Sequence, residues 1–258
     1  MSTASLLGRQ VRYTNLAFWR NPASAFFTFA FPLMFLVIFT ALLGTGRLEV
    51  APGVFIEQDR YYVAAMASFS VITATFTNLA ISVSFQRDSG VLKRTRGTPM
   101  PGAVYLSARV VHAIAISLLL VTITAVFGAL VYGTGIPTGA RLGEFLLAVI
   151  VGAMAFSALG LATTAIVPNA EAAPAVVNAV ILPLLFVSGV FIPLGTDAPR
   201  WLKILGDIFP VKHFEEATMG SFYGPPIPFQ WSDVLVVAAW GLVGLVLATR
   251  FFSWEPRK

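Results

Sequence analysis

Residues 61–101 read YYVAAMASFSVITATFTNLAISVSFQRDSGVLKRTRGTPMP. The first part, Tyr61 to Phe85, contains no Asp, Glu, Lys or Arg. A helix needs about 20 mostly apolar residues to cross roughly 30 Å of hydrocarbon, and this part is long enough. Five charged residues follow it closely: Arg87, Asp88, Lys93, Arg94 and Arg96. The stretch therefore predicts a membrane-spanning helix that ends in a short charged segment at the membrane surface.

Charge-poor apolar runs of similar length recur along the chain and predict six spans, at residues 23–43, 61–85, 104–132, 142–167, 172–193 and 233–252. The composition agrees, because 57% of the residues are apolar and 11% are charged, whereas a soluble domain has about 25% charged residues. The expected fold class is an all-α integral membrane protein, with one transmembrane domain over residues 1–258.

Several kinds of site need residues that the chain lacks. Without cysteine there is no disulfide framework and no thiolate metal site. None of the four lysines follows a glycine, so the P-loop for nucleotides is missing, and no His-Glu-x-x-His or Gly-x-Ser-x-Gly motif occurs. We therefore expect no catalytic residues, no metal or cofactor site and no ATP hydrolysis by this chain alone.

The basic residues indicate the topology. An even number of spans places both termini on one side, and that side holds eleven of the 17 Lys and Arg residues: Arg9, Arg12, Arg20, Arg87, Lys93, Arg94, Arg96, Arg109, Arg250, Arg257 and Lys258. Short loops rich in Lys and Arg stay in the cytoplasm. The sequence predicts a multi-pass protein of the inner (plasma) membrane with cytoplasmic termini. Because these charges flank apolar runs and form no basic patch, we expect no nucleic-acid partner.

Two segments outside the spans are expected to lie along the membrane surface. Residues 1–22 predict a cytoplasmic interface helix, because Arg9 and Arg12 fall opposite Leu7 and Val11 at helical spacing. A solvated basic tail is the alternative. Residues 194–232 are too polar to span and predict an extracellular segment that folds back on the membrane, with a rigid turn at Pro225 and Pro226.

Residues 86–103 join the second and third predicted spans on the cytoplasmic side. Their charged residues, closed by Gly97 and Pro99, predict a short helix. A simple loop would need only a few residues, so this segment is expected to dock onto another protein. The alternative is a charge cluster that stops membrane insertion and has no partner.

Two blocks of the sequence resemble the membrane subunits of type-2 ATP-binding-cassette (ABC) exporters. In the cytoplasmic loop, Asp88, Gly90, Leu92-Lys93-Arg94 and Pro99 match an acidic residue, a glycine, a Leu-Lys/Glu-Arg step and a proline. At the end of the fifth span, Phe186 to Pro193 matches Phe-x-Ser-Gly-x-x-x-Pro. Phe209 and Gln86-Arg87 depart from the pattern, since they stand where Asn and Arg-Glu are usual.

The resemblance implies a coupling helix that sits in a cleft of a separate ATPase subunit, with coupling residues Arg87, Asp88, Gly90, Leu92, Lys93, Arg94 and Arg96. It implies two ABC ATPase subunits, which bind the ATP and magnesium, and a second copy of this permease or a paralogue, all in contact with membrane lipids. A translocation path would run between the copies, with candidate residues Thr75, Asn78, Ser82, Asn178, Pro183, Phe186, Ser188 and Gly189. Packing between helices is the alternative role of the polar residues among these candidates.

The expected function is that of the membrane subunit of an ATP-driven exporter for an apolar or amphipathic substrate, such as a drug, lipid or glycolipid. Phenylalanines in the first span favour such a cargo, although they could equally face lipid. The alternatives are polysaccharide or glycoconjugate export within the same family, an ATP-independent carrier, and a membrane-embedded lipid enzyme. A carrier normally needs charged residues at mid-membrane. His112, in the third span, is expected to be neutral and hydrogen-bonded.

Overall fold

The structure, a computed structural model, describes residues 2–43, 46–51, 53–195, 198–224 and 227–255. Helices dominate it: α1 Thr3–Trp19, α2 Pro22–Leu43, α3 Gln58–Ile72, α4 Asn78–Asp88, α5 Val91–Arg96, α6 Gly102–Tyr132, α7 Ala140–Thr163, α8 Ala173–Val187, α9 Arg200–Ile208, α10 Pro210–Tyr223 and α11 Trp231–Phe251. A π-helical turn, Thr73–Thr77, joins α3 and α4. The predicted all-α membrane fold is confirmed.

Five of the described helical stretches are long and apolar enough to cross a membrane: Pro22–Leu43, Gln58–Asp88, Gly102–Tyr132, Ala140–Thr163 and Trp231–Phe251. The fifth predicted span, residues 172–193, contains only the 15-residue helix α8. At about 1.5 Å per residue α8 is shorter than a full span. The fourth predicted span also ends early, at Thr163 instead of residue 167, because the chain turns there toward α8.

The continuous helix Gln58–Asp88 forms the centre of the bundle. Almost every residue of α3 is buried, and α2, α6, α7 and α10 pack around it. α11 lies outside α7, and the two helices approach closely because Gly241 and Gly244 face Ala155 and Leu159. Small residues at such positions allow two membrane helices to pack backbone to backbone.

The end of the bundle where α3 begins carries a hairpin that the sequence did not predict, together with two helices of the segment 194–232. An antiparallel hairpin, β1 Arg47–Ala51 and β2 Val54–Glu57, pairs Arg47 with Glu57 and precedes α3. The segment 194–232 contains two helices, α9 and the largely buried α10, which packs on α7, α3 and α11. Pro225 and Pro226, for which a turn is predicted, and Arg257 and Lys258 lie outside the described residues.

The first helix lies against α6 with the predicted division of its faces. Leu7, Val11 and Phe18 are half-buried, whereas Arg9 and Arg12 are exposed. The Phe18 ring packs edge-on against His112 of α6, with centroids 5.4 Å apart. The predicted hydrogen bond of His112 is not formed with any described residue. Placement of α1 in the membrane interface stays a prediction.

Candidate functional site

The segment between α4 and α6 forms a short helix held against the bundle by one apolar side chain. Gly90 has φ +72°, a left-handed conformation that glycine adopts without a Cβ clash, so the chain turns sharply after α4. Leu92 of α5 is fully buried and packs with residues of four helices: Leu79, Val83, Tyr105, Leu161 and Ala248. α5 is therefore held against α4, α6, α7 and α11.

α5 also has an open basic face, formed by its exposed side chains. Lys93, Arg94 and Arg96 are all exposed. Arg94 donates one long hydrogen bond, 3.4 Å, to the carbonyl oxygen of Ser89, and none of the three forms an ion pair with another described residue. An acidic surface could pair with this face without first breaking an internal ion pair.

Arg87 does not belong to that open face. Its guanidinium is buried, with the residue 1% exposed, and donates to the carbonyl oxygens of Thr164 at 2.8 Å and Val167 at 2.6 Å. These carbonyls lie where α7 ends, and the last carbonyls of a helix lack partners within it. The resemblance implies that Arg87 is a coupling residue, and in the structure its guanidinium contacts carbonyl oxygens of its own chain.

Asp88 adds a second link to the same connection. Its Oδ2 atom accepts a hydrogen bond from the backbone N–H of Ala170, at 3.1 Å, between α7 and α8. Arg87 and Asp88 therefore tie the corner between α4 and α5 to the segment leading into α8. We call this pair, with its backbone partners Thr164, Val167 and Ala170, the corner clamp.

The predicted path residues of the second span have two different surroundings. Thr75 is fully buried in the π-helical turn and donates to the carbonyl oxygen of Val71 at 2.6 Å. Asn78 is half-buried and lines a small pocket near α1. Ser82 lines the same pocket and accepts a hydrogen bond from Arg109 at 3.2 Å. Thr75 therefore faces the interior of this subunit rather than a path between two copies.

The predicted path residues of α8 divide between an exposed face and a buried turn. Asn178, Pro183 and Phe186 are exposed, whereas Ser188 and Gly189, just after the helix, are buried. Gly189 has φ +91°, and its carbonyl oxygen accepts a hydrogen bond from Tyr61 at 2.6 Å. The structure therefore does not bring all the predicted path residues together.

Comparison with known proteins identifies the kind of molecule that carries these features. A family model described as "ABC-2 type transporter" matches residues 6–223. The chain belongs to this family. It is also similar to the Bacillus subtilis (strain 168) protein named "Putative transport permease YvfS", with 23% identity over 229 residues that cover 89% of each chain.

This ABC-2 permease is thus a multi-pass membrane subunit of a transporter, without an ATPase site of its own. The family implies that an ABC ATPase component supplies the hydrolysis. The recognised resemblance to ABC membrane subunits is confirmed over most of the chain.

The sequence missed an aromatic cluster in this permease. Phe191, buried just beyond α8, packs its ring within 5.1–5.8 Å of four other rings, those of Phe35, Phe39, Phe69 and Phe186. These side chains join α2 and α3 to the turn after α8. The spacing of Phe31, Phe35 and Phe39 on one face of the first span was a signal of this cluster. The partner rings from the other elements are too distant in sequence for periodicity to identify them.

His213 of α10 connects three helices, a role that the sequence did not predict. Its Nδ1 atom lies 2.8 Å from the Asp233 Oδ1 atom of α11, and its Nε2 atom lies 2.9 Å from the Asp207 carbonyl oxygen of α9. The hydrogen bond with Asp233 raises the pKa of His213, despite the opposing effect of burial. No local motif predicts this contact, because Asp233 follows 20 residues later.

Proposed function

We propose that this permease is the membrane subunit of an ATP-driven exporter, with α5 as the helix that docks on a separate ATPase. The open basic face of α5 supports this assignment most directly. In the complex, an acidic surface of the ATPase contacts Lys93, Arg94 and Arg96. Gly90 permits the turn that presents them, and Leu92 anchors the helix.

The corner clamp gives a physical route for the coupling. ATP binding and hydrolysis move the ATPase subunits, and the movement reaches the spans only through an element that contacts both proteins. A displacement of α5 pulls on Arg87 and Asp88, which hold the segment between α7 and α8. α8 carries Asn178, Pro183 and Phe186 on its exposed face, so the movement shifts the candidate path wall.

The functional unit in this proposal contains two copies of the permease, or one copy and a paralogue, with two ATPase subunits. α2 and α8 expose large apolar side chains, including Phe26, Phe27 and Phe186, that a second copy or lipid would cover. A path between two such faces favours an apolar or amphipathic cargo, such as a drug, lipid or glycolipid. The cargo would leave the cytoplasm or the inner leaflet for the outer side.

The coupling assignment is tested by charge reversal in the full permease with its ATPase. Lys93→Glu with Arg94→Glu should lower the amount of co-purified ATPase, and ATP-dependent transport, at least tenfold, because like charges across an interface cost several kcal/mol. Arg47→Glu, at the exposed start of the hairpin, is the matched control and should leave both unchanged. Equal ATPase recovery from the double variant and the control would refute the docking face.

The cargo class needs a separate measurement. The permease and its ATPase are reconstituted in liposomes, and ATP-dependent movement is compared for a fluorescent phospholipid and a fluorescent oligosaccharide. Movement of the lipid alone supports an amphipathic cargo. Movement of the oligosaccharide alone would replace it with glycoconjugate export, and movement of neither by an ATP-hydrolysing complex would reject both cargo assignments.

A further inference from the structure

A large cavity lies at the end of the bundle opposite α5. It has a volume of about 530 Å³ and opens partly to the surface. Its described lining comes from the hairpin, the start of α3, the turn after α8, α9, α10 and the start of α11. Small-molecule sites in proteins have volumes of about 300–1,000 Å³, so this cavity is large enough for a small organic ligand.

One carboxyl group of the cavity has an unused hydrogen-bonding atom. Glu215 of α10 lines the cavity and is 5% exposed, and its Oε1 atom has no hydrogen-bond partner among the described residues. Burial of an ionised carboxylate without a partner is costly. Burial, followed by the charge of Glu216, raises the pKa of the Glu215 carboxyl well above its usual value. A cation in the cavity would favour the ionised form.

The other charged groups of the cavity leave an acidic excess. Glu49, Glu216 and Asp233 line it with Glu215, against Lys203 and Lys212. Lys212 forms ion pairs with Asp207 at 2.5 Å and with Glu216 at 3.7 Å, and Asp233 is paired with His213. Lys212 is therefore shared between two other carboxylates, whereas Oε1 of Glu215 has no hydrogen-bond partner among the described residues.

The chemistry around Glu215 favours an organic cation over a metal ion. His213, Glu216 and Asp233 have ligand atoms within 4.8 Å of one another. However, both ring nitrogens of His213 face acceptors, the Asp233 carboxylate and the Asp207 carbonyl oxygen. A ring nitrogen that donates to one of these acceptors carries a hydrogen and offers no lone pair to a metal. Val50, Val54, Met219 and Ile227 add an apolar wall to the cavity.

We propose that this cavity is a binding site for a small amphipathic amine, whose ammonium group donates hydrogen bonds to the Glu215 carboxylate while its apolar part contacts Val50, Val54, Met219 and Ile227. The site uses residues of one chain only. It requires neither the ATPase nor transport, so it can be tested apart from the proposed function.

The test uses the full chain purified in detergent and two probes of the same shape, 2-phenylethylamine and uncharged 2-phenylethanol. Binding is measured by isothermal titration calorimetry above neutral pH. The amine should bind the unsubstituted chain at least tenfold more tightly than the alcohol, since a hydrogen bond to a buried charge contributes at least that factor. Glu215→Gln, which has nearly the same shape, should lower amine affinity at least tenfold.

Glu144→Gln is the matched control, because Glu144 of α7 does not line the cavity, and it should bind the amine like the unsubstituted chain. Equal affinity for the two probes, equal amine affinity in Glu215→Gln, or no saturable amine binding at millimolar concentration would each overturn the proposal. The comparison of the probes on the unsubstituted chain decides the question even if Glu215→Gln does not fold.

Discussion

At the scale of single residues, Arg87 combines the charge expected of a surface loop with the burial of a core residue. Its guanidinium donates to two buried carbonyl oxygens at the end of α7, those of Thr164 and Val167. A planar guanidinium carries several donors in fixed directions, which allows it to satisfy two carbonyls at once. Lysine would supply one compact charge instead.

Arg87→Ala should therefore destabilise the permease by about 2–4 kcal/mol, since each buried carbonyl that loses its donor costs about 1–3 kcal/mol. Arg94→Ala is the matched control. Arg94 is exposed, and its removal should change the free energy of unfolding by less than about 0.5 kcal/mol. Unfolding in mixed detergent micelles, followed by circular dichroism, measures both. Similar free energies of unfolding for the two variants would show that the buried contacts contribute little.

His213 makes a second prediction at this scale. Because its folded pKa is raised by the Asp233 hydrogen bond, the stability that it contributes is complete below the unfolded value of about 6.5 and is lost as the pH rises through the folded pKa. The charged groups that act on it are Asp233 and Glu216, and the backbone carbonyl oxygen of Asp207 also faces its ring. His213→Gln should thus cost more stability near pH 6 than near pH 9.

The measurement is micellar unfolding of both proteins across that pH range. The facing groups are the same in the two proteins, so their own titration largely cancels in the difference. A difference that stays constant between about pH 6 and pH 9 would show that the pKa of His213 is not raised in the folded protein.

At the scale of elements, the central span contains a π-helical turn that meets a glycine of α7. The Asn78 N–H donates to the Thr73 carbonyl five residues earlier, which widens the helix locally. A Cβ atom on Gly160 would lie 2.7 Å from the Phe76 carbonyl oxygen and 3.0 Å from its Cα atom. Because these are backbone atoms, the two helices would have to separate.

Gly160→Ala should accordingly lower stability by about 1–3 kcal/mol, the usual cost of overpacking. Gly143→Ala, in the same helix, is the control, since no atom lies within 4 Å of its added Cβ. Alanine favours helix over glycine by roughly 0.5–1 kcal/mol, so that variant should be neutral or more stable. Thermal unfolding of the two purified variants separates the effects. Equal unfolding midpoints would show that the two helices separate at the π-helical turn without a loss of stability.

The sequence predicted those elements whose formation depends on local composition. Long apolar runs predicted the five span-length helices, and Gly97 predicted the end of α5. The hairpin at 47–57 was not predicted because it is short and only partly apolar. The burial of Arg87 and of α10 was not predicted either. The partners of Arg87 lie 77 and 80 residues away, and only the packed bundle brings them together.

At the scale of the whole molecule, the two ends of the bundle differ in charge. One end exposes Lys93, Arg94 and Arg96 on α5, and the other holds the acidic cavity around Glu215. Loops rich in Lys and Arg stay on the cytoplasmic side of a membrane. This asymmetry supports the predicted orientation with α5 inside and the hairpin outside, and outward transport depends on it.

Single cysteines decide that orientation cleanly, because the chain contains no cysteine and each introduced thiol is unique. Arg47→Cys, at the exposed start of the hairpin, should react with a membrane-impermeant maleimide in intact cells that produce the permease without its ATPase. Lys93→Cys, exposed on α5, should react only after the membrane is permeabilised. The reverse pattern would place α5 outside, where no cytoplasmic ATPase could reach it. Docking on α5 and export would then both be excluded by one experiment, whereas the cavity proposal, which depends on neither, would stand.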